Sequence, residues 1–231
     1  MMGTKSLEKK LGVTFKNKKL LLQALTHRSY LNENPTFEVG HNERLEFLGD
    51  AVLELIITEH LFELFPEKPE GELTSLRAAL VNAEMLSAVA SSMDINDSLL
   101  LSRGEHKDTG RARQYILANA FEAMVGAVYL DRGYSAAKAF IERTLVCRLN
   151  EVIEKKLWMD PKSTFQEEAQ ERLSVTPSYR VTKEIGPDHQ KRFSVGVYLG
   201  STLVAEGAGH SKQEAEVDAA RRALEEKKWL K

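Results

Sequence analysis

The sequence has one cysteine, no long apolar run and little net charge, and each shortage excludes a class of protein. Cys147 has no partner for an internal disulfide, and without a metal-type cysteine spacing we expect a buried small hydrophobic residue. Residues 114–130 are the least charged stretch, but Glu122 interrupts them and leaves fewer than the ~18 apolar residues of a membrane span. Residues 1–12 lack the apolar core of a signal peptide. We therefore expect a soluble, cytoplasmic protein with no membrane partner.

The small net charge limits how a nucleic acid would be bound. Lysine and arginine number 32 against 34 aspartate and glutamate residues, so the formal charge is −2. Because local field steers association more than total charge, a nucleic acid would have to be held by a local basic patch. The length of 231 residues predicts one or two domains of roughly 100–200 residues each.

The first two thirds of the chain has a helical pattern. Apolar residues recur every three or four positions from residue 7 to about 150. Breaks at Asn34-Pro35, at 66–71, at 104–110 and at Gly133 separate the helices. Strand-like alternation is scarce there, which predicts an all-helical first domain.

The pattern changes after residue 158. Asp160-Pro161 predicts a boundary, and Ser163 or Thr164 is a candidate cap for a helix that ends near Leu173. Three β-rich runs follow, with the sequences SYRVTKEIG, KRFSVGVYLG and TLVAEG. They predict three antiparallel strands.

A last helix completes the predicted fold. Ser211 and Glu214 form the capping-box pattern at its start. The predicted fold class is therefore an all-α N-terminal domain followed by a small α+β domain with the order α-β-β-β-α. The predicted boundaries are 5–150 for the first domain, 151–159 for a linker and 160–229 for the second domain.

Four carboxylates share one side of the helix predicted within residues 41–55, HNERLEFLGDAVLEL. At 100° per residue they fall within about 80° of one another. Like charges at this spacing destabilise a helix by a few tenths of a kcal/mol per pair, and Arg44 is the only lysine or arginine between positions 29 and 67. The stripe is either a solvated acidic face or a site whose cation comes from outside the segment. Its members are Glu43, Glu46, Asp50 and Glu54, and Leu45, Leu48, Val52 and Leu55 lie opposite.

Glu122 is the only charged residue between Arg113 and Asp131, in a helix that is apolar on nearly every side. An unpaired buried carboxylate costs several kcal/mol, so it needs a partner or a changed protonation state. The partner is either a distant arginine or lysine, or a divalent metal shared with the acidic stripe. Oxygen ligands suit Mg²⁺, and Asn119 on the same helical face adds an amide oxygen. The residues are compatible with metal-assisted phosphoryl chemistry and do not identify a substrate.

The segment HNERLEFLGDAVL closely resembles the signature of bacterial ribonuclease III, a double-strand-specific endoribonuclease. Three further stretches fit this family: ALTHRSY at 24–30, GELTSLRAALVN at 71–82 and ILANAFEAMVGAVYLD at 116–131. The resemblance covers nearly the whole chain. It implies a helical catalytic domain that works as a homodimer on double-stranded RNA.

The resemblance also implies the reaction. Each subunit is expected to cut one strand, leaving 5′-phosphate and 3′-hydroxyl ends with a short 3′ overhang. The expected substrates are ribosomal RNA precursors and some messenger and transfer RNAs. No small-molecule cofactor is implied.

Carried over residue by residue, the resemblance assigns a metal site and a catalytic pair. Mg²⁺ is the expected cofactor, and Mn²⁺ is expected to replace it. The implied metal ligands are Glu46, Asp50, Asn119 and Glu122, of which Asp50 and Glu122 are catalytic, while Glu43 and Glu70 have supporting roles. His27 and His41 lie in matching motifs and are interpreted as hydrogen-bonded structural residues.

Asn119 departs from the family pattern, because many members have an aspartate at this position. Asparagine offers an oxygen to Mg²⁺ but brings no negative charge. The chain is then either an active enzyme with a tolerated variant or a non-catalytic double-stranded RNA-binding protein of the same fold. The three intact carboxylates favour the enzyme.

Residues 160–228 resemble a double-stranded RNA-binding domain. Gly207 and Gly209 are expected to let the backbone turn tightly before the last helix, whose free N–H groups attract phosphate. Such domains read the shape of the duplex across ~16 base pairs. The RNA-binding residues implied by the resemblance are Gln166, Glu167, His189, Ser211 and Lys212.

Overall fold

The structure is a computed structural model that describes residues 4–107, 109–187 and 191–229. The chain divides into two compact units, Met1–Trp158 and Met159–Lys231. Within the segment predicted as a linker, helix α11 (Leu149–Glu154) continues to Glu154 and Val152 is buried in the core of the first unit. The predicted boundaries 5–150, 151–159 and 160–229 stay predictions.

The first unit is helical, as predicted. A 3₁₀ turn at Val146–Arg148 precedes α11, and a single parallel bridge joins Thr26 to Leu100. The helices before this turn are α1 (Thr4–Leu11), α2 (Lys18–Ala24), α3 (Arg28–Glu33), α4 (Glu43–Leu64), α5 (Glu70–Val81), α6 (Ala83–Ser92), α7 (Ile95–Ser98), α8 (Arg103–Lys107), α9 (Arg111–Arg132) and α10 (Tyr134–Thr144).

Helix α9 is the centre of this unit and is buried along most of its length. It packs against α2, α4, α6, α7 and α10. Five of its eleven buried residues are alanines or Gly126, and such small residues let neighbouring helices approach closely. The central helix therefore brings Asn119 and Glu122 into an otherwise apolar core.

The closest approach of α4 and α9 is made by two glycines. A Cβ atom on Gly49 would lie 1.8 Å from the carbonyl oxygen of Glu122, and one on Gly126 would lie 2.3 Å from the carbonyl oxygen of Leu45. The two backbones are therefore in direct contact. This contact sets the acidic stripe of α4 against Glu122.

The side of α4 away from the core is apolar and exposed, which the sequence pattern did not predict. Leu45 and Val52 are buried, but Leu55, which was grouped with them, is 57% exposed. Phe47 and Phe62 are 82% and 72% exposed. Helix α4 therefore has an acidic face, a core face and an exposed apolar face, and the sequence pattern predicted the first two.

The second unit has the predicted order α-β-β-β-α, so the predicted fold class is confirmed. The strands form one antiparallel sheet in the order β1-β2-β3. The elements are α12 (Pro161–Leu173), β1 (Pro177–Ile185), β2 (Arg192–Leu199), β3 (Thr202–Gly209) and α13 (Lys212–Lys227).

Helix α12 begins earlier than predicted. Asp160 is its N-cap, and the Asp160 carboxylate accepts hydrogen bonds from the backbone N–H of Lys162 at 3.2 Å and from the Ser163 hydroxyl at 2.7 Å. The Ser163 or Thr164 cap was wrong because aspartate followed by proline already supplies both a cap and a first helical residue.

Gly207 and Gly209 lie inside β3 and do not form a tight turn. Neither has a positive φ. A Cβ atom on Gly207 would lie 2.1 Å from the backbone nitrogen of Ala219, and one on Gly209 would lie 2.6 Å from that of Ala215. These glycines allow β3 to lie directly on α13, so the predicted role as turn residues was wrong.

Two expectations drawn from scarce features have different outcomes. Cys147 was predicted to be buried, and this prediction was wrong, because Cys147 is exposed in the 3₁₀ turn. None of the helices that the structure describes is long and apolar enough to cross a bilayer.

Candidate active site

The crossing of α4 and α9 brings the predicted metal ligands together. Asp50 follows Gly49 directly, Glu46 precedes Asp50 by one helical turn, and Glu122 supplies the carbonyl that touches Gly49. Glu46, Asn119 and Glu122 are half-buried, whereas Asp50 is exposed. The result is a small group of oxygen-bearing side chains at the edge of an apolar core.

Glu122 has the most perturbed carboxyl group of this site. Burial raises the pKa of Glu122 to about 7, and the charges of Asp50 and Glu46 add to the rise. No lysine or arginine within the described ranges pairs with Glu122. A distant basic partner, one of the two predicted alternatives, is therefore absent from the part of the chain that the structure describes.

Asn119 stabilises Glu46. Burial raises the pKa of Glu46, the charge of Glu43 adds to the rise, and a hydrogen bond from the Asn119 side chain opposes it. An aspartate at position 119 cannot donate that hydrogen bond when ionised. Asn119 therefore lowers the electrostatic cost of holding Glu46 near Glu122.

Glu43 has the basic partner that was expected from outside the segment. Nη1 of Arg28, in α3, lies 3.2 Å from one Glu43 carboxylate oxygen, and Nδ1 of His41 lies 3.7 Å from the other. Glu43 is thereby tied to the start of α3. Among the residues that the structure describes, Glu46 and Asp50 have no ion pair with a lysine or arginine.

Glu70 and His27 have local partners. Glu70, at the start of α5, accepts a hydrogen bond of 3.1 Å from the Thr74 hydroxyl and is not among the charges that act on Glu122. Nδ1 of His27 accepts from the backbone N–H of Ser29 and caps α3, so the structural interpretation of His27 is confirmed. A supporting role for Glu70 stays a prediction.

The donor set fits a hard divalent cation. It consists of oxygen atoms alone, and Glu122 is a half-buried carboxylate with acidic neighbours and no basic partner among the described residues. Within the described ranges, no three His, Cys, Asp or Glu side chains already stand as a complete ligand set. Mg²⁺ commonly reaches carboxylates through its own water molecules, so it does not require such a set.

The second unit presents most of the predicted RNA-binding residues at its surface. Gln166 and Glu167 are exposed on α12, and Lys212 is exposed at the start of α13. The Ser211 hydroxyl accepts a hydrogen bond of 3.1 Å from the backbone N–H of Glu214, which confirms the predicted cap. His189 lies outside the described residues. RNA contact by any of these residues stays a prediction.

Lys212 has nearby partners within the second unit. Its Nζ lies 3.7 Å from a carboxylate oxygen of Glu184 and 5.7 Å from the centre of the Phe193 ring. Both distances leave the ammonium group largely in solvent. A phosphate therefore has access to Lys212.

Two family models match the chain. Residues 17–149 match the Ribonuclease-III-like family, and residues 161–227 match the double-stranded RNA binding motif. The first match alone covers more than half of the chain. The chain belongs to the ribonuclease III family.

Relatives and a solved structure agree with this assignment. The chain is 48% identical over 220 residues to Ribonuclease 3 of Carboxydothermus hydrogenoformans, covering 95% of this chain and 94% of the relative. It is 44% identical over 219 residues to Ribonuclease 3 of Desulforamulus reducens, covering 95% and 89%. The ribonuclease III nuclease domain of Campylobacter jejuni superposes with a TM-score of 0.55 and 41% identity, covering 62% of this chain and 98% of that domain.

Membership of the ribonuclease III family confirms the predicted endoribonuclease. Enzymes of this family depend on a metal ion, and the second match supports double-stranded RNA as the partner. The predicted alternative, a non-catalytic RNA-binding protein of the same fold, is not favoured. The solved Campylobacter jejuni domain was described for flexibility in a region involved in dimer formation.

The residues that position the site were not predicted from the sequence. Gly49 and Gly126 make the helix crossing, and Arg28 holds Glu43. A glycine inside a helical pattern costs ~1 kcal/mol relative to alanine and therefore signals close packing. That signal is visible at both glycines, but it does not say which helices meet.

Proposed function

We propose that this chain hydrolyses phosphodiester bonds in double-stranded RNA with Mg²⁺ held between α4 and α9. The observation that supports this most is the state of Glu122, a half-buried carboxylate whose raised pKa reflects burial and two acidic neighbours. A divalent cation is the simplest group that can interact with the Glu122, Asp50 and Glu46 carboxylates at the same time. Mn²⁺ is expected to replace Mg²⁺, because both are hard cations that accept oxygen ligands.

The residues have different roles in this proposal. Asp50 and Glu122 would hold the cation and form the catalytic pair, and Glu46 and Asn119 would complete the donor set. When bound, the cation lowers the pKa of water and offsets charge on the phosphate oxygens. Glu43 supports the site through its ion pair with Arg28, and Glu70 is assigned a supporting role by the family resemblance alone.

The products and substrates follow from the same proposal. Hydrolysis would leave 5′-phosphate and 3′-hydroxyl ends with short 3′ overhangs. Each subunit of a dimer would cut one strand. Ribosomal RNA precursors and some messenger and transfer RNAs would be the substrates in the cytoplasm. Gln166, Glu167, His189, Ser211 and Lys212 would hold the duplex.

The homodimer is supported by the exposed apolar face of α4. Phe47, Leu55 and Phe62 fall within about 80° of one another around this helix, and all three are exposed. Contiguous apolar residues on a surface mark an interaction site. A second copy of the same face is the occupant we propose, because an isologous contact pairs like with like.

Phe62→Glu is expected to convert the dimer to a monomer, because a charge cannot be buried in an apolar interface without a partner. Light scattering at micromolar concentration measures the mass. Leu173→Glu is the matched control, since Leu173 is an exposed leucine of the second unit. An unchanged mass for Phe62→Glu would contradict the proposed interface.

The wild-type chain is expected to cut long duplex RNA with Mg²⁺, and Asn119→Asp is expected to lower the Mg²⁺ concentration at half-maximal rate. The added carboxylate increases the attraction for a dication by about one charge in a half-buried site. Calorimetric titration of Mn²⁺ into the protein without RNA checks the affinity independently of cutting. Asn32→Asp, which adds the same charge at an exposed position of α3, is the control.

One outcome would refute the activity proposed for the wild-type chain, which has Asn119. It is failure of the wild type to cut at any metal concentration while Asn119→Asp restores cutting. The chain would then bind duplex RNA without cutting it, because Asn119 prevents catalysis.

A further inference from the structure

The sheet of the second unit has one free face. Val195 and Val197 of β2 are buried against the helices. Because successive residues of a strand point to opposite sides, Arg192, Ser194, Gly196 and Tyr198 point away from the core. Their neighbours across the sheet share that side. We call this surface the outer sheet face, and its large members are Arg180, Lys183, Ile185, Arg192, Tyr198, Leu203 and Glu206.

The outer sheet face carries three cations. Arg180, Lys183 and Arg192 are exposed, and none forms an ion pair with a described acidic residue. In the described strands, the acidic residue placed on this side is Glu206, opposite Gly196. The face is therefore positive although the chain as a whole is slightly negative.

On the same face, an arginine lies over an aromatic ring. The guanidinium carbon of Arg180 lies 4.8 Å from the centre of the Tyr198 ring. Tyr198 and Leu203 also lie over Gly196, where a Cβ atom would be 2.9 Å from Leu203 Cδ1 and 3.0 Å from the Tyr198 ring. The absence of a Cβ atom at Gly196 leaves the room that both side chains occupy. Arg180 is thus exposed and lies over the Tyr198 ring.

We propose that the outer sheet face binds single-stranded RNA, separately from the surface that binds the duplex. Unpaired bases stack on aromatic rings and on arginine planes, and basic side chains beside them follow the phosphates. Arg180 on Tyr198 supplies the stacking plane, Leu203 supplies apolar contact, and Lys183 and Arg192 supply charge. From Arg192 to Tyr198 the strand spans roughly 20 Å, which suits about three nucleotides.

The chemistry favours a single strand over other partners. A duplex hides its base faces, so it cannot use the open side of Arg180, and the domain type reads duplexes through helix and loop contacts. An acidic peptide would pair with the three cations but would gain nothing from the stacked plane. Unpaired RNA uses both features. Single-stranded tails beside a cut duplex would supply such a ligand.

The test is fluorescence anisotropy of the full chain with a labelled oligouridine of about ten nucleotides, in EDTA so that nothing is cut. We expect saturable binding that Arg180→Gln weakens at least about fivefold, because the variant loses the group on which a base would stack. The triple variant Arg180→Gln, Lys183→Gln and Arg192→Gln should lower the slope of log affinity against log salt by about two. Duplex affinity, measured with a labelled blunt-ended duplex that has no unpaired nucleotides, should change less than twofold.

A matched control removes the same charge elsewhere. Lys9, Lys16 and Lys19 are exposed lysines of the first unit, and replacing all three with glutamine should leave oligouridine binding unchanged. Circular dichroism of each variant verifies that the sheet remains folded. A polyglutamate peptide in competition separates stacking from charge, because it should displace oligouridine poorly.

Several results would overturn the proposal. The first is no saturable binding of oligouridine by the wild type, and the second is equal binding by Arg180→Gln. Equal loss of duplex affinity in the triple variant would assign the face to the duplex instead. Strong displacement by polyglutamate would assign it to an acidic protein partner.

Discussion

Glu122→Gln is expected to lower the rate of duplex cleavage by about a thousandfold while leaving duplex binding unchanged. Glutamine keeps the size of the side chain but removes the charge that holds the cation, and a metal ion contributes several kcal/mol to such reactions. A loss of about 4 kcal/mol corresponds to a thousandfold. Single-turnover cutting of a labelled hairpin measures the rate, and a gel shift in EDTA measures binding.

Glu122→Gln should also change how the stability of the folded chain depends on pH, which a cleavage assay does not measure. Since the folded-state pKa of Glu122 is about 7 and its ordinary value is 4.5, the folded chain keeps a proton between these values that the unfolded chain releases. Stability contributed by this group is therefore lost as pH rises from 4.5 towards 7. In EDTA at pH 8, Glu122→Gln should melt at a higher temperature than the wild type, and near pH 4.5 the two should agree.

Glu54→Gln is the control, because Glu54 lies on the same stripe of α4 but is exposed. It should neither slow cutting severely nor raise the melting temperature. Mg²⁺ should stabilise the wild type at pH 8 and stabilise Glu122→Gln much less. Normal cutting by Glu122→Gln would end the assignment of Glu122 as a catalytic residue.

Gly49→Ala is expected to destabilise the first unit by about 3 kcal/mol, as overpacking of a tight core does. In an open helix the same change is stabilising by ~1 kcal/mol. Here the added methyl group would meet the Glu122 carbonyl oxygen at 1.8 Å, so α4 and α9 must separate. For a unit of this size the melting temperature should fall by roughly 10 °C.

Separation of the helices should also weaken the metal site, because it moves Asp50 away from Glu122. Cleavage should then require more Mg²⁺ at a temperature where the variant is still folded. Gly71→Ala is the matched control, since a Cβ atom on Gly71 meets nothing within 4 Å and the residue lies in α5. A Gly49→Ala protein as stable as Gly71→Ala would show that the helix contact is not tight.

The sequence predicted local structure well where one physical signal dominated. Period-two runs placed the three strands, and Ser211 with Glu214 placed the last helix. It failed where two signals competed. Asp160 and Ser163 both suit a helix start, and only the geometry shows the Asp160 carboxylate accepting the bonds.

The site was predictable as a list of residues but not as an arrangement. Isolation of Glu122 in an apolar helix indicated a partner, whereas the contact of Gly49 with the Glu122 backbone depends on residues far apart in sequence. The exposure of Leu55 depends in the same way on which neighbours cover α4. Periodicity describes one helix at a time, so it cannot decide either point.

The exposed thiol of Cys147 makes the protein convenient for spectroscopy. It is the only cysteine of the chain, and it stands in the short turn between α10 and α11. A maleimide dye or nitroxide will therefore attach at one defined place without any substitution. In the proposed homodimer, the distance between two such labels would measure the separation of the subunits.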